Sequence, residues 1–129
     1  MSHLFTALFI AMLLPFLAKL PLIKAMNNEK GGYDNNNPRA QQRALKGFGE
    51  RANAAHYNSF EALAIFAPAV LAVAVLGQVD TTAIALAYTF VVARVVFLIC
   101  YWTDKATLRS LVWAVSMIAA FVMMGRAIW

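Results

Sequence analysis

The chain has 129 residues, of which 62% are hydrophobic and only 13% are charged, and its net charge is +5. A soluble domain of this length could not bury so large an apolar fraction in one core, so the composition predicts an integral membrane protein. The basic excess does not indicate nucleic-acid binding, because most Lys and Arg residues lie beside apolar blocks, where loop charge sets membrane orientation.

Four apolar blocks follow one another along the chain and predict membrane spans at about residues 4–26, 49–77, 81–101 and 108–128. Three of them are close to the roughly 20 residues that cross a bilayer as a helix. The span 49–77 is longer because its apolar block begins at Phe60, so its first turns are expected to project into the cytoplasm. None of the blocks shows the sustained polar and apolar alternation of a membrane β-barrel. The sequence therefore predicts an all-α fold, a four-helix membrane bundle that forms a single domain over residues 1–129.

The three connections differ in charge, and this difference predicts the orientation in the membrane. The first connection, about residues 27–48, is the only long polar segment and is basic, and the third contains Lys105 and Arg109. The second connection, residues 78–80, has no basic residue. Because cytoplasmic loops are enriched in Lys and Arg, we expect the first and third connections to face the cytoplasm. Arg126 alone opposes this orientation.

A polar cluster leads into the second span, and its members Arg51, Asn58 and Glu61 share one helical face. Arg94 lies inside the third span, where an isolated arginine costs about 2.5 to 3.5 kcal/mol on the insertion scale. A partner is therefore expected, and Glu61 is the predicted one. Tyr101 lies seven residues after Arg94 on the same face.

Arg109 follows at the start of the fourth span, so three arginines are expected to converge at one membrane depth. Guanidinium groups bind carboxylates in a bidentate manner, which predicts a pocket for a small, multiply charged ligand. Two other interpretations stay open: a polar staple that only joins helices, and a transporter or channel subunit whose charged residues line a path.

No metal site is predicted, because His56 lies on the opposite side of its helix from Arg51. Trp113 is read as an interfacial anchor or packing aromatic.

The second span begins with the pattern E-R-x-x-x-A-x-x-N-x-x-E, formed by Glu50-Arg51, Ala55, Asn58 and Glu61. This pattern, together with Ala93-Arg94, Tyr101 and Leu108-Arg109 further on, resembles the MAPEG family (membrane-associated proteins in eicosanoid and glutathione metabolism). The resemblance covers nearly the whole chain and is nearer to bacterial members than to the eicosanoid enzymes, and it indicates a bacterial member that resembles microsomal glutathione transferase. It implies an integral protein of the bacterial inner membrane.

The resemblance also implies a homotrimer that holds glutathione as co-substrate between subunits and activates its thiol for attack on lipophilic electrophiles or hydroperoxides. The family's ligand-binding positions correspond to Arg51, Asn58, Glu61 and Arg94, and its catalytic positions to Tyr101, a binding tyrosine, and Arg109, which stabilises the thiolate. The chain departs from the family pattern at Ala54, Ala62 and Phe97, and each departure removes a hydrogen-bond donor. These departures favour the alternative of a non-enzymatic family member that binds a lipid or a partner.

Overall fold

Five α-helices and no strands make up the structure, a computed structural model that describes residues 1–129. The helices are α1 (Ser2–Asn27), α2 (Pro38–Ala44), α3 (Phe48–Val75), α4 (Thr81–Trp102) and α5 (Ala106–Ile128). All except the short α2 are long and apolar enough to cross a membrane. The prediction of an all-α membrane bundle with four spans is therefore confirmed. Helix α2 lies in the first connection, between α1 and α3.

The termini and the α3–α4 turn lie at one end of the bundle, which we call the hairpin end. His3 near the N-terminus contacts Tyr88 in the second turn of α4, and Arg126 near the C-terminus reaches Asp80. Gly77 closes the turn with φ of 67°, a left-handed conformation that glycine adopts without a steric penalty. The opposite end, which holds the first connection and residues 103–105, is called the loop end.

Helix α1 packs mainly against α3, and α4 packs mainly against α5. Small residues let these helices approach closely, which is how spans associate where lipid provides little hydrophobic drive. The largest buried cluster is accordingly rich in alanine: Ala7, Ala11, Ala62, Ala69, Ala83, Ala87, Ala119 and Ala120. Phe66 of α3 and Phe90 of α4 fill the centre as a stacked pair whose ring centroids are 3.9 Å apart.

A buried histidine joins the first two spans. His56 of α3 is 6% exposed, and its Nδ1 lies 2.7 Å from the carbonyl oxygen of Pro15 in α1. A carbonyl oxygen only accepts hydrogen bonds, so Nδ1 of His56 carries the proton and donates a hydrogen bond to the Pro15 carbonyl. The geometry gives His56 a structural role in holding α1 against α3.

The hairpin end contains the only ion pair in the chain. Arg126 Nη2 lies 2.9 Å from Asp80 Oδ2, and Asp80 Oδ1 also accepts the backbone N–H of Ala83, so Asp80 caps the N-terminus of α4. The positive charge of Arg126 is therefore neutralised locally by a carboxylate. This pairing explains how a basic residue is accommodated beside a connection, residues 78–80, that has no basic residue of its own.

Acid should weaken this end of the bundle. The hydrogen bond from Arg126, followed by that from the Ala83 N–H, lowers the pKa of Asp80 from 3.8 to about 2. The folded pKa lies below the unfolded value, so the stabilisation is complete above pH about 4 and is lost as the pH falls toward about 2. We expect the melting-temperature difference between wild type and Asp80→Asn in detergent to shrink across this interval. A difference that stays constant would show that the pair does not stabilise the fold.

Candidate functional site

The loop end of α3 is polar because this helix is longer than a membrane crossing. Its 28 residues span about 42 Å, whereas a bilayer core is about 30 Å thick. The additional turns are at the start of α3, from Phe48 onward, and the polar cluster lies on them and on the turns that follow, at the loop end of the bundle. Arg51, Asn58 and Glu61 accordingly lie between about one and four turns from the start of the helix.

Arg94 of α4 is buried, at 2% exposure, and meets α3 through Asn58. Its Nη2 donates to Asn58 Oδ1 at 2.6 Å, and its guanidinium lies 4.0 Å from the centroid of the Phe97 ring. Glu61 forms no ion pair, since the single pair in the chain joins Arg126 and Asp80. The predicted Arg94–Glu61 partnership is therefore wrong, because a neutral amide one turn nearer the helix start takes the guanidinium.

Tyr101, in the last turn of α4, is held by two arginines from different helices. Arg51 Nε donates to the Tyr101 carbonyl oxygen at 3.2 Å, and the same oxygen accepts the backbone N–H of Asp104 at 3.4 Å. The Arg109 guanidinium lies 4.4 Å from the centroid of the Tyr101 ring, a cation–π contact. Phe97 packs edge-on against the same ring at 5.4 Å. These contacts bring α3, α4 and α5 together at the loop end.

Two adjoining cavities form a continuous surface that we call the α3–α5 groove. The polar half, of about 440 Å³, lies nearer the loop end and is lined by Asn58, Phe97, Tyr101, Arg109, Ser110, Trp113 and Ala114. The apolar half, of about 400 Å³, extends toward the membrane centre and is lined by Asn58, Glu61, Ala62, Ile65, Trp113, Met117 and Phe121. Asn58 and Trp113 line both halves. Arg109 is the only cationic residue in either lining.

A larger cavity, of about 630 Å³, lies in the first connection, away from this groove. Gln41 fixes this loop, because its Nε2 donates to the Gly32 carbonyl and its Oε1 accepts the Asp34 N–H, both at 2.9 Å. None of the site residues predicted from the sequence lines this cavity. The α3–α5 groove is lined by four of them, Asn58, Glu61, Tyr101 and Arg109, and is the stronger candidate.

The residues singled out in the sequence divide into two sets. Asn58, Glu61, Tyr101 and Arg109 line the groove, whereas Arg51 and Arg94 are absent from both linings and bond to residues that line it. Trp113 was read as an anchor, yet it lines both halves. Its position four residues after Arg109, and so on the same helical face, was the signal that could have identified it.

A sequence model of the MAPEG family matches residues 3–129, nearly the whole chain. No curated protein and no solved structure gives a significant match. The match agrees with the four membrane helices and with the polar residues that α3, α4 and α5 bring together at the loop end. This chain belongs to the MAPEG family.

Proposed function

We propose that the protein binds glutathione in the polar half of the α3–α5 groove and activates its thiol to attack lipophilic electrophiles or hydroperoxides. The observation that carries this proposal is the single guanidinium, Arg109, in a groove whose other half is apolar and lies at membrane depth. One half suits a charged, water-soluble thiol compound, and the other suits a lipid-soluble acceptor. Activities of this kind serve detoxification.

The size and chemistry of the polar half fit a tripeptide. Its volume of about 440 Å³ lies within the range of small-molecule sites, roughly 300 to 1,000 Å³. Arg109 is available to an anionic group of the ligand. Arg51 uses only Nε within the chain, so its two Nη groups are free to bind a carboxylate at the loop end. Asn58 contributes an amide to the peptide backbone of the ligand.

Thiol activation is an electrostatic problem. A cysteine thiol has a pKa of about 8.5, so only a few per cent is thiolate at neutral pH. Lowering this pKa by about two units requires about 2.7 kcal/mol of preferential thiolate stabilisation, which a guanidinium in a low-dielectric groove can supply. The thiol proton leaves to solvent at the loop end. Arg109 is the residue that we assign to this role, with Tyr101 beside it.

The acceptor enters from the membrane into the apolar half, beside Ile65 and Phe121. With a chloroarene, the thiolate sulfur forms a bond to the ring carbon, and chloride leaves with the electron pair. With a hydroperoxide, the thiolate attacks the outer oxygen and the O–O bond breaks, and the alkoxide leaves with the electron pair and takes a proton from water to become the alcohol. A second glutathione then reacts with the resulting sulfenic acid to give the disulfide and water. Proximity of the two bound reactants supplies the remaining acceleration.

The assembly that we propose is a homotrimer in the bacterial inner membrane, with the first and third connections in the cytoplasm. In a single chain the groove is open to the outside, and Trp113 is 44% exposed and Phe121 63% exposed. A neighbouring subunit packed against this face would shield both halves from water and lipid. Glutathione would then enter from the cytoplasm, where it is made.

A second candidate function is a non-enzymatic family member that binds a lipid. Three positions favour it, because Ala54, Ala62 and Phe97 carry apolar side chains where related enzymes have donors. The apolar half of the groove would hold an acyl chain in this case. This alternative predicts a retained lipid and no glutathione binding.

Purified protein in detergent can separate these functions. We expect saturable glutathione binding by isothermal titration calorimetry, and glutathione-dependent conjugation of chlorodinitrobenzene above the uncatalysed rate. Protein denatured by heat provides the blank. A protein that binds no glutathione and instead carries a stoichiometric phospholipid in native mass spectrometry would refute the enzymatic proposal and support the lipid-binding one.

A further inference from the structure

Arg94 does not reach the α3–α5 groove, although it bonds to a residue that lines both halves. Its side chain is 2% exposed, and it is absent from the linings that contain Asn58. Phe97 packs against its guanidinium at 4.0 Å. The guanidinium is thus held in one place by burial and by an aromatic face, behind Asn58.

This arrangement fixes which way the Asn58 amide faces. A guanidinium has only donors, so the Asn58 atom 2.6 Å from Arg94 Nη2 must be the oxygen, whatever the assignment of the two amide atoms. The amide nitrogen of Asn58 is then directed away from Arg94. No acceptor in the chain bonds to it, so both of its N–H groups are available on the side where Asn58 meets the groove.

Nη1 of Arg94 is buried and has no hydrogen-bond partner. Such an unpaired group is costly, and pairing it with Glu61 would relieve the cost. Instead, Glu61 is exposed and lines the apolar half of the groove. Asn58 is therefore the only polar group of the chain that forms a hydrogen bond with the Arg94 guanidinium.

We infer that Arg94 is a positioning residue that fixes Asn58 as a hydrogen-bond donor to the groove, so that the ligand atom bound there is a carbonyl or carboxylate oxygen. An unrestrained asparagine can offer either its oxygen or its nitrogen, whereas this one offers only N–H groups. The inference rests on the proposed function for the identity of the ligand: in glutathione the matching atom is a peptide carbonyl oxygen. It assigns Arg94 an indirect role, since the guanidinium makes no contact with the ligand.

Asn58→Asp tests the inference, because aspartate has the same shape but offers only acceptors when ionised. The probe is S-methylglutathione, which has no thiol, so its binding does not depend on thiolate formation at Arg109. We expect Asn58→Asp to weaken this binding about 10- to 100-fold by calorimetry in detergent. Val95→Ala, on the exposed side of α4 next to Arg94, is the matched control and should leave the affinity unchanged.

A double-mutant cycle separates positioning from general structural support. Arg94→Met should weaken S-methylglutathione binding about 3- to 10-fold, and Asn58→Ala should cost almost nothing further in that background, because the amide is no longer oriented. Arg94→Lys retains a buried donor and should recover part of the affinity. If Arg94→Met does not fold, Arg94→Lys replaces it in the double-mutant cycle.

Two results would overturn the inference while leaving glutathione binding intact: unchanged affinity in Asn58→Asp, or strictly additive losses in the cycle. Failure of the wild type to bind either glutathione or S-methylglutathione is a different outcome. It would refute the proposed function and, with it, this inference. The comparison of wild type with the variants therefore shows which of the two proposals has failed.

Discussion

Arg109→Ala is expected to reduce kcat/KM for glutathione conjugation about 100-fold at neutral pH. Arg109 is the only cation that lines the groove, so its removal forfeits about 2.7 kcal/mol of thiolate stabilisation and returns the bound thiol pKa toward 8.5. The measurement is the pH dependence of conjugation, together with the ultraviolet absorbance of the thiolate formed on binding. Raising the pH should recover most of the lost rate.

Two further variants sharpen this test. Arg109→Lys retains the charge but loses the planar contact with Tyr101, so it should keep an intermediate activity. Lys105→Ala removes an exposed cation a few residues away, outside the groove, and should behave as wild type. If Arg109→Ala conjugates at the wild-type rate with an unchanged pH profile, Arg109 does not stabilise the thiolate, and Tyr101→Phe becomes the variant that identifies the alternative group.

The fold was largely predictable because its determinants are local. Four apolar blocks of about the right length require four membrane helices, since backbone polar groups must be satisfied within each span. The ends of the helices differ from the predicted ones by no more than two residues, as at Val75, where the prediction gave residue 77. The shift at Val75 lies at the α3–α4 turn that Gly77 closes, and it depends on turn geometry.

The site was predictable as a set of residues on one face, but not as a set of contacts. Helical spacing places Asn58 and Glu61 one turn apart on the same side, and a long arginine side chain can reach either. Which one it reaches depends on the packing of Arg94 over the Phe97 ring, a property of side-chain conformation rather than of spacing. Energetic reasoning favoured the oppositely charged Glu61, and the packing decided otherwise.

Trp113 was overlooked for a related reason. An indole in a membrane span is commonly placed at the lipid interface, and a single sequence does not show which side of α5 faces α3. Only the packing of α5 places Trp113 in the groove between Asn58 and Arg109. Sequence spacing therefore identified the polar residues and Tyr101, whereas Trp113 could not be distinguished from a packing or anchoring aromatic.

The second large expected effect concerns the centre of the bundle. Phe66→Ala should lower the free energy of unfolding in detergent by about 3 kcal/mol, the lower end of the range for phenylalanine truncation in cores. Phe66 is fully buried and stacks on Phe90, so its loss removes a parallel aromatic contact and leaves a cavity. The lower end applies because lipid or detergent weakens the hydrophobic contribution, and lost packing supplies most of the cost.

Phe9→Ala is the control for this prediction, since Phe9 in α1 is 60% exposed. The same truncation there removes few protein contacts and should change the unfolding free energy by less than about 1 kcal/mol. Thermal and denaturant unfolding followed by circular dichroism would measure both variants under one set of conditions. Equal losses at the two positions would mean that the variants respond to side-chain size alone. A large loss only at Phe66 would establish that close packing between α3 and α4 stabilises the scaffold on which Asn58 and Arg94 meet.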